Sequence, residues 1–281
     1  MKKSTRILIA EDTLRIIGAG YYINAHGESV RIHDEQERCI AGSVHYTEEM
    51  LEEIKAKVSG ILMQTSPTSS TQFDVRDCTT LEAASALVQQ GVTDVLALNF
   101  ASAKNPGGGF LSGAQAQEES LARSSGLYPC LLQYLEMYVI NRQYTSCLYT
   151  DRMIYSPKVP VFKDDDGMLL EAPYLLSFIT APAVNAGVIR QNEPDQVSQI
   201  EPVMLSRIDK ILSVAVRHGH KTLLLGAWGC GVFKNDPEDV AAYFAKHILH
   251  GRFANHFDHI VFAIKASDER FIAPFREHFL K

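Results

Sequence analysis

The chain contains a single tryptophan and only five cysteines (Cys39, Cys78, Cys130, Cys147 and Cys230), which are widely spaced and never form a CxxC pair. Neither a disulfide framework nor a zinc knuckle is signalled, and the thiols are expected to be reduced. No apolar run approaches the roughly 18 residues needed to cross a bilayer. The apolar start breaks at Glu11-Asp12, too early for a secretory h-region, so a cytoplasmic protein without membrane contact is expected. An excess of positive charge is also missing. At a net charge of −6 the protein is not expected to track a nucleic-acid backbone or read its sequence, and an anionic ligand would have to be held by local contacts. No Gly-Lys-Ser/Thr follows either glycine stretch, which excludes a Walker loop. The run Lys163-Asp-Asp-Asp-Gly167 lacks the spacing and terminal glutamate of a calcium loop and reads as a solvated turn. His218 with His220, and His256 with His259, come without further ligands and read as solvated or capping residues.

What is present is ordinary globular composition, 46% hydrophobic and 21% charged. Apolar spacing predicts a helix over Ser4–Ile17 closed by Gly18 and Gly20, then a hairpin in YYINAHGESVRI and a helix over Glu48–Val58 capped by Thr47. The polar stretch QTSPTSSTQ reads as a joint between an N-terminal extension (1–70) and a main body (71–281), the two forming one structural unit. Beyond it, strands such as FDVRD, DVLALNF, YLLSFITAPA, TLLLGAWG and HIVFAIKAS alternate with helices over about Thr80–Gln90, Ile200–His218 and Pro237–Leu249, with a last one from Asp268. SPKVPVFKDDDGMLLEAP reads as a hairpin. Short continuous apolar runs between helices mean an α/β fold, with a mostly parallel sheet flanked by helices.

Two loops at strand ends are rich in glycine: NPGGGF after DVLALNF, and Gly226, Gly229 and Gly231 after the TLLL run. Ligands of open α/β sheets sit outside the carboxyl ends of strands. Glycine lets successive backbone amides approach a phosphate without a Cβ in the way, so these loops could hold a diphosphate without lysine. GAWGCG has the spacing GxxGxG rather than GxGxxG, which leaves nicotinamide-type binding weakly supported. Seven residues after the triple glycine come Gln117-Glu118-Glu119. Adjacent helical residues point about 100° apart, so one of the two glutamates is expected to enter the site. A carboxyl beside a bound diphosphate would hold its proton more tightly. It could then act as a general acid at a sugar acetal and afterwards as a base toward water.

The stretch PGGGFLSGAQAQEESLARSSGLY resembles the signature of the bacterial-type poly(ADP-ribose) glycohydrolases, a triple glycine, six to eight residues and QEE, on a macrodomain fold. TTLEAA, LNFASAKNPGGGF, MIYSPKVPVF, ITAPAVNAG and LGAWGCGVFKNDPEDVA are similar to its members as well, and AEDTLRIIGAGYY resembles their helical extension. The resemblance implies hydrolysis of the ribose–ribose bond of poly(ADP-ribose), on the free polymer or on ADP-ribosylated protein, with release of ADP-ribose and without cofactor or metal. Glu119 would be the catalytic glutamate, with Glu118 and Gln117 supporting the ribose. Gly107, Gly108 and Gly109 would lie against the diphosphate and distal ribose. Gly229, Cys230, Gly231 and Val232 would wrap the diphosphate from the other side, with Phe233 against the distal ribose and Cys230 acting through its backbone. Asn99 stands where wider macrodomains have the first asparagine of NxxN; Ser102 replaces the second, leaving Asn105 to substitute. Asp77 resembles the aspartate that meets the adenine amino group. A reader of ADP-ribose without turnover, and a hydrolase of mono-ADP-ribosylated protein or nucleic acid, are the competing readings. The intact QEE counts against the reader.

Overall fold

The computed structural model describes residues 1–64 and 70–280, so most of the expected joint lies outside the described residues. Helix α1 (Lys3–Ala19) leads into the hairpin β1 (Tyr21–Ile23) and β2 (Ser29–Arg31), followed by α2 (His33–Gly42), β3 (Val44–Tyr46) and α3 (Glu48–Gln64). Next come β4 (Gln72–Arg76), α4 (Thr80–Gln89), β5 (Val95–Phe100), α5 (Gln117–Ser124), α6 (Leu127–Leu132) and α7 (Leu135–Gln143). The long strands β6 (Met153–Lys163) and β7 (Leu169–Ala181) are followed by α8 (Ala186–Asn192), α9 (Ile200–Arg217), β8 (Thr222–Leu225), α10 (Pro237–Ile248), β9 (His259–Ala263) and α11 (Ala273–Phe279).

Seven strands form one mixed sheet in the order β3-β6-β7-β5-β8-β9-β4. From β7 to β4 every neighbouring pair is parallel, and β6 and β3 continue the sheet antiparallel. β5 shows why both faces must be covered: Leu96 and Leu98 enter one core with α3, α9 and α10, while Val95 and Ala97 enter the other with α4, α6 and α7. The α/β expectation is met.

Several expectations shift in detail. Gly20, not Gly18, ends α1: it takes φ +75° and its N–H reaches Ile16 O at 2.8 Å. The His-Gly turn and the β6–β7 hairpin form as expected, and Thr47 Oγ1 accepts from Met50 N at 3.4 Å. β3, from the segment read as extension, is an edge strand of the main sheet. The last helix begins at Ala273 rather than Asp268, because Asp268 caps a short 3₁₀ turn first.

The N-terminal elements grip the segment that carries the glutamates. Arg6 Nε donates to Gly113 O at 2.7 Å and its Nη1 to Gln115 Oε1 at 2.8 Å. Thr13 Oγ1 donates to the carbonyl of Arg123 on α5. Lys163, buried on β6, donates to Ile9 O and Thr13 Oγ1 and pairs with Asp12 at 2.8 Å. From α2, Gln36 Nε2 donates to Gly126 O at 2.9 Å, just past the end of α5.

Candidate active site

Both glycine loops lie at the carboxyl ends of the neighbouring strands β5 and β8, where a parallel sheet opens to ligands. The first loop folds over the start of α5. Gln117 anchors it: its Oε1 accepts from Phe100 N at 2.8 Å, and its Nε2 donates to Leu98 O at 2.8 Å and Thr80 Oγ1 at 3.1 Å. The amide therefore serves the end of β5. Glu118 is 3% exposed, accepting from Ser102 N at 2.6 Å and from Asn99 Nδ2 at 3.3 Å. Burial, reinforced by the charge of Glu119 and opposed by these donors, pushes its carboxyl up to about 8. Glu119 accepts from Gly109 N at 2.9 Å through Oε1, while its buried Oε2 has no partner among the described residues.

The expectation that only one glutamate would reach the site is corrected. A Cβ on Gly108 would sit 2.3 Å from Glu119 Oε1 and 3.2 Å from Glu118 Oε2, so both carboxylates flank this one glycine. The loop wraps the first turn of the helix, and two directions 100° apart both meet it. Gly108, at φ +60°, has neither the room nor the conformation for a side chain.

Asn99 is fully buried, its Nδ2 donating to Glu118 and Thr180 Oγ1, with its Oδ1 unpartnered among the described residues. It stands behind Glu118 rather than in the open cleft. Ser102 organises the loop: its Oγ accepts from Lys104 N and Asn105 N, and its own N–H serves Glu118. Asn105 is exposed, with Oδ1 facing Arg142 at 3.3 Å.

In the second loop Gly229 takes φ +76°, and a Cβ there would lie 2.5 Å from Ala183 Cβ. Asn235 ties the loop by donating to Val184 O and Gly229 O. Gly231 and Val232 are exposed, and the amides of Gly231, Val232 and Phe233 have no acceptor among the described residues. Three successive free N–H groups suit an anion. Cys230 is 5% exposed and burial pushes its thiol up, so it has no thiolate character. Phe233 tilts against Tyr149 at 5.9 Å between ring centroids. Trp228, undecided in the sequence, is core: it is fully buried and donates to Ala181 O.

Beside the second loop and the start of α5 a cavity of about 440 Å³ is walled by Phe100, Leu81, Ile264 and Phe271 and bordered by Thr80, Gln117 and Cys230. Asp77 does not line it; its Oδ1 accepts from Ala266 N at 3.2 Å.

The model of the microbial-type PARG (poly(ADP-ribose) glycohydrolase) catalytic domain matches residues 10–164, more than half of the chain. A solved structure of PARG from Thermomonospora curvata is 43% identical and superposes with a TM-score of 0.91, covering 99% of this chain and 98% of that one. The chain belongs to the microbial-type PARG family. The T. curvata enzyme bound to the inhibitor ADP-HPD is 42% identical over 98% of this chain and 100% of that one, with a TM-score of 0.89. PARG from Deinococcus radiodurans in complex with ADP-ribose is 42% identical over 86% and 96%, with a TM-score of 0.80. No curated protein matches.

In this PARG-family chain, residues that sequence reasoning passed over also shape the cleft. Phe271 and Phe100 wall the cavity, and Tyr149 backs Phe233 with a backbone at φ +58°. Arg123 holds the carbonyl of Ala114 at 2.8 Å, fixing the segment between the glycines and the glutamates. The flanking aromatics carried no periodic signal. Arg123 follows the motif closely enough to have been singled out.

Proposed function

We propose that this protein is a cytoplasmic poly(ADP-ribose) glycohydrolase that hydrolyses the ribose–ribose O-glycosidic bond and releases ADP-ribose from the polymer, free or protein-linked. The observation that carries this reading is Glu119: one oxygen is held by the Gly109 amide while the other, buried beside the glycine loop, has no partner among the described residues. Glu118, raised to about 8, keeps its proton at neutral pH, which lessens repulsion toward an incoming diphosphate. Glu119 enters the step as the acid and delivers its own proton to the departing 2′-oxygen as the C1″–O bond breaks. Its carboxylate then takes a proton from the water that attacks C1″, restoring the starting state. The free amides of Gly231, Val232 and Phe233 receive the diphosphate, and the first loop confines the distal ribose. Carboxylate acid–base chemistry is all that this sequence of steps uses.

Among the described residues no helix is long and apolar enough to cross a membrane. The cytoplasmic reading rests on the sequence, whose five widely spaced cysteines signal no disulfide framework.

The test is ADP-ribose release from poly(ADP-ribose) by wild type and by Glu119→Gln. We expect the variant to lose about 10²–10⁴-fold in rate, the range for removal of a general acid–base group, and still to bind ADP-ribose in calorimetry. Equal release by the two proteins would remove Glu119 from this role. A wild type that binds ADP-ribose but releases none from polymer would make the protein a reader.

A further inference from the structure

The outer edges of the two glycine loops carry positive charge that the cavity beside α5 does not use. Lys104 and Asn105 lead into the triple glycine, and Arg142, exposed on α7, donates from Nη2 to Asn105 Oδ1 at 3.3 Å. Lys104 Nζ lies 5.8 Å from the ring centroid of Tyr149, which in turn tilts against Phe233 of the second loop. Lys234 follows Phe233 and is exposed, its stem running over Gly187 on α8, where a Cβ would meet Lys234 Cδ at 3.0 Å. Arg190, further along α8, donates from Nη1 to Lys234 O at 2.9 Å.

Arg142, Lys104, Lys234 and Arg190 thus form one continuous cationic edge that crosses from the first loop to the second, on a chain whose net charge is −6. None of the four lines the cavity beside α5, and none enters a salt bridge among the described residues. The acids along the same edge serve other donors: Glu193 accepts from Ser146 Oγ and Cys147 N, and Asp236 Oδ1 accepts from Glu238 N. Asp239 feels the charge of Arg190 without a hydrogen bond to it. The edge is a local positive field on an acidic protein, which suits an anion longer than the cleft itself can hold.

The place of the edge indicates which anion. Glu119 lies against Gly108 and Gly109, so the bond it cleaves lies beside the first loop, and the rest of the chain leaves over the outer side of the loops. Each further unit of poly(ADP-ribose) brings another diphosphate to that side. We propose that this edge binds the diphosphates of the polymer units beyond the scissile bond, so that the protein prefers long chains to short oligomers. This rests on the polymer reading of the site. Exposed cations on flexible stems suit phosphates that change place from one chain to the next, whereas the fixed amides of the second loop suit a single diphosphate.

The test compares polymer of about twenty units with oligomers of about two or three, KM being counted per chain end at low and moderate salt. One variant combines Lys104→Gln, Arg142→Gln and Lys234→Gln; Arg190 is kept because it holds the second loop. A control combining Lys104→Arg, Arg142→Lys and Lys234→Arg retains the charge. Wild type and control are expected to show a KM about ten-fold or more lower for long polymer at low salt, a preference that shrinks as salt rises. The Gln variant should lose that preference with kcat on oligomers and calorimetric affinity for ADP-ribose within about two-fold of wild type. A wild type indifferent to chain length, or a Gln variant that keeps the preference, would overturn the inference. So would an equal loss of ADP-ribose affinity, which would assign these cations to the terminal unit. No release from chains of any length would instead overturn the hydrolase reading on which the inference rests.

Discussion

Gly108 sits between the carboxylates of Glu118 and Glu119, the pair to which we assign the chemistry. A methyl group there would press on Glu119 Oε1 and require a positive φ of alanine, so Gly108→Ala should lower activity by about ten-fold or more while destabilising the fold by on the order of 1–3 kcal/mol. Polymer turnover and a thermal melt measure the two effects separately. Gly231→Ala is the contrasting case, because a Cβ there meets nothing within 4 Å. Its folded stability should be nearly unchanged, while ADP-ribose affinity reports whether a ligand packs on that backbone. At this scale the sequence exposes the glutamates and glycines through their spacing. It hides the order of packing, with Asn99 behind Glu118 and Asp77 turned to the β9 loop, because one residue of offset on a strand or loop changes which way a side chain faces. Asp165, half-buried between two exposed aspartates and accepting from Thr79 Oγ1, was illegible for another reason: in a run of three aspartates, nothing local distinguishes the one that turns inward.

Helix α1 acts on the glutamates through Gly113, Gln115 and Arg123 without touching them itself. Arg6→Ala removes two of these restraints from the surface, so it should lower turnover more than it lowers the melting temperature. Comparing kcat with the melt checks this. Asp12→Asn tests the inner end of the same brace. It leaves the buried Lys163 ammonium without its counter-charge, and because Asp12 is partly solvated the loss should be about 1–3 kcal/mol, read by denaturant unfolding. Elements with a clear period, α9, α10 and the apolar strands, were legible in the sequence. α2 was not, since HDEQERCIAG is polar over its first six residues and only Gln36 and Cys39 are buried. β3 is three residues long and has a strand identity only through its pairing with β6.

Taken as a whole, the molecule keeps several titratable groups in states they would not hold in water. Burial pulls His218 down to about 4, and also lowers His45, His220, His247 and His256. Of the histidine pair expected to be solvated or capping, His218 does cap the end of α9, but neither ring is solvated: Tyr46 bonds His218, Tyr155 bonds His220, and His220 meets Asp94 at 2.5 Å. Below the ordinary histidine value of 6.5 the unfolded chain takes up protons that the folded one refuses, so stability should fall as pH drops from 6.5 toward 4, by about 2 kcal/mol for His218 after allowing for its partial exposure. Glu118 works in the opposite sense. Between its ordinary 4.5 and about 8 the folded protein holds a proton that the unfolded chain has released, so its contribution declines as pH rises through that window. Melting temperatures stepped from pH 4 to 9 should therefore peak between these limits, and Glu118→Gln should flatten the alkaline side alone. The architecture itself followed from alternating apolar runs, whereas these distant side-chain meetings depend on topology that no local pattern encodes. Where α2 meets the end of α5, a Cβ on Gly126 would fall 1.8 Å from Gln36 Oε1. Two positions 90 residues apart are thereby bound to one evolutionary fate: in related chains a side chain at 126 should appear only with a smaller residue at 36, a covariation that an aligned family can reveal.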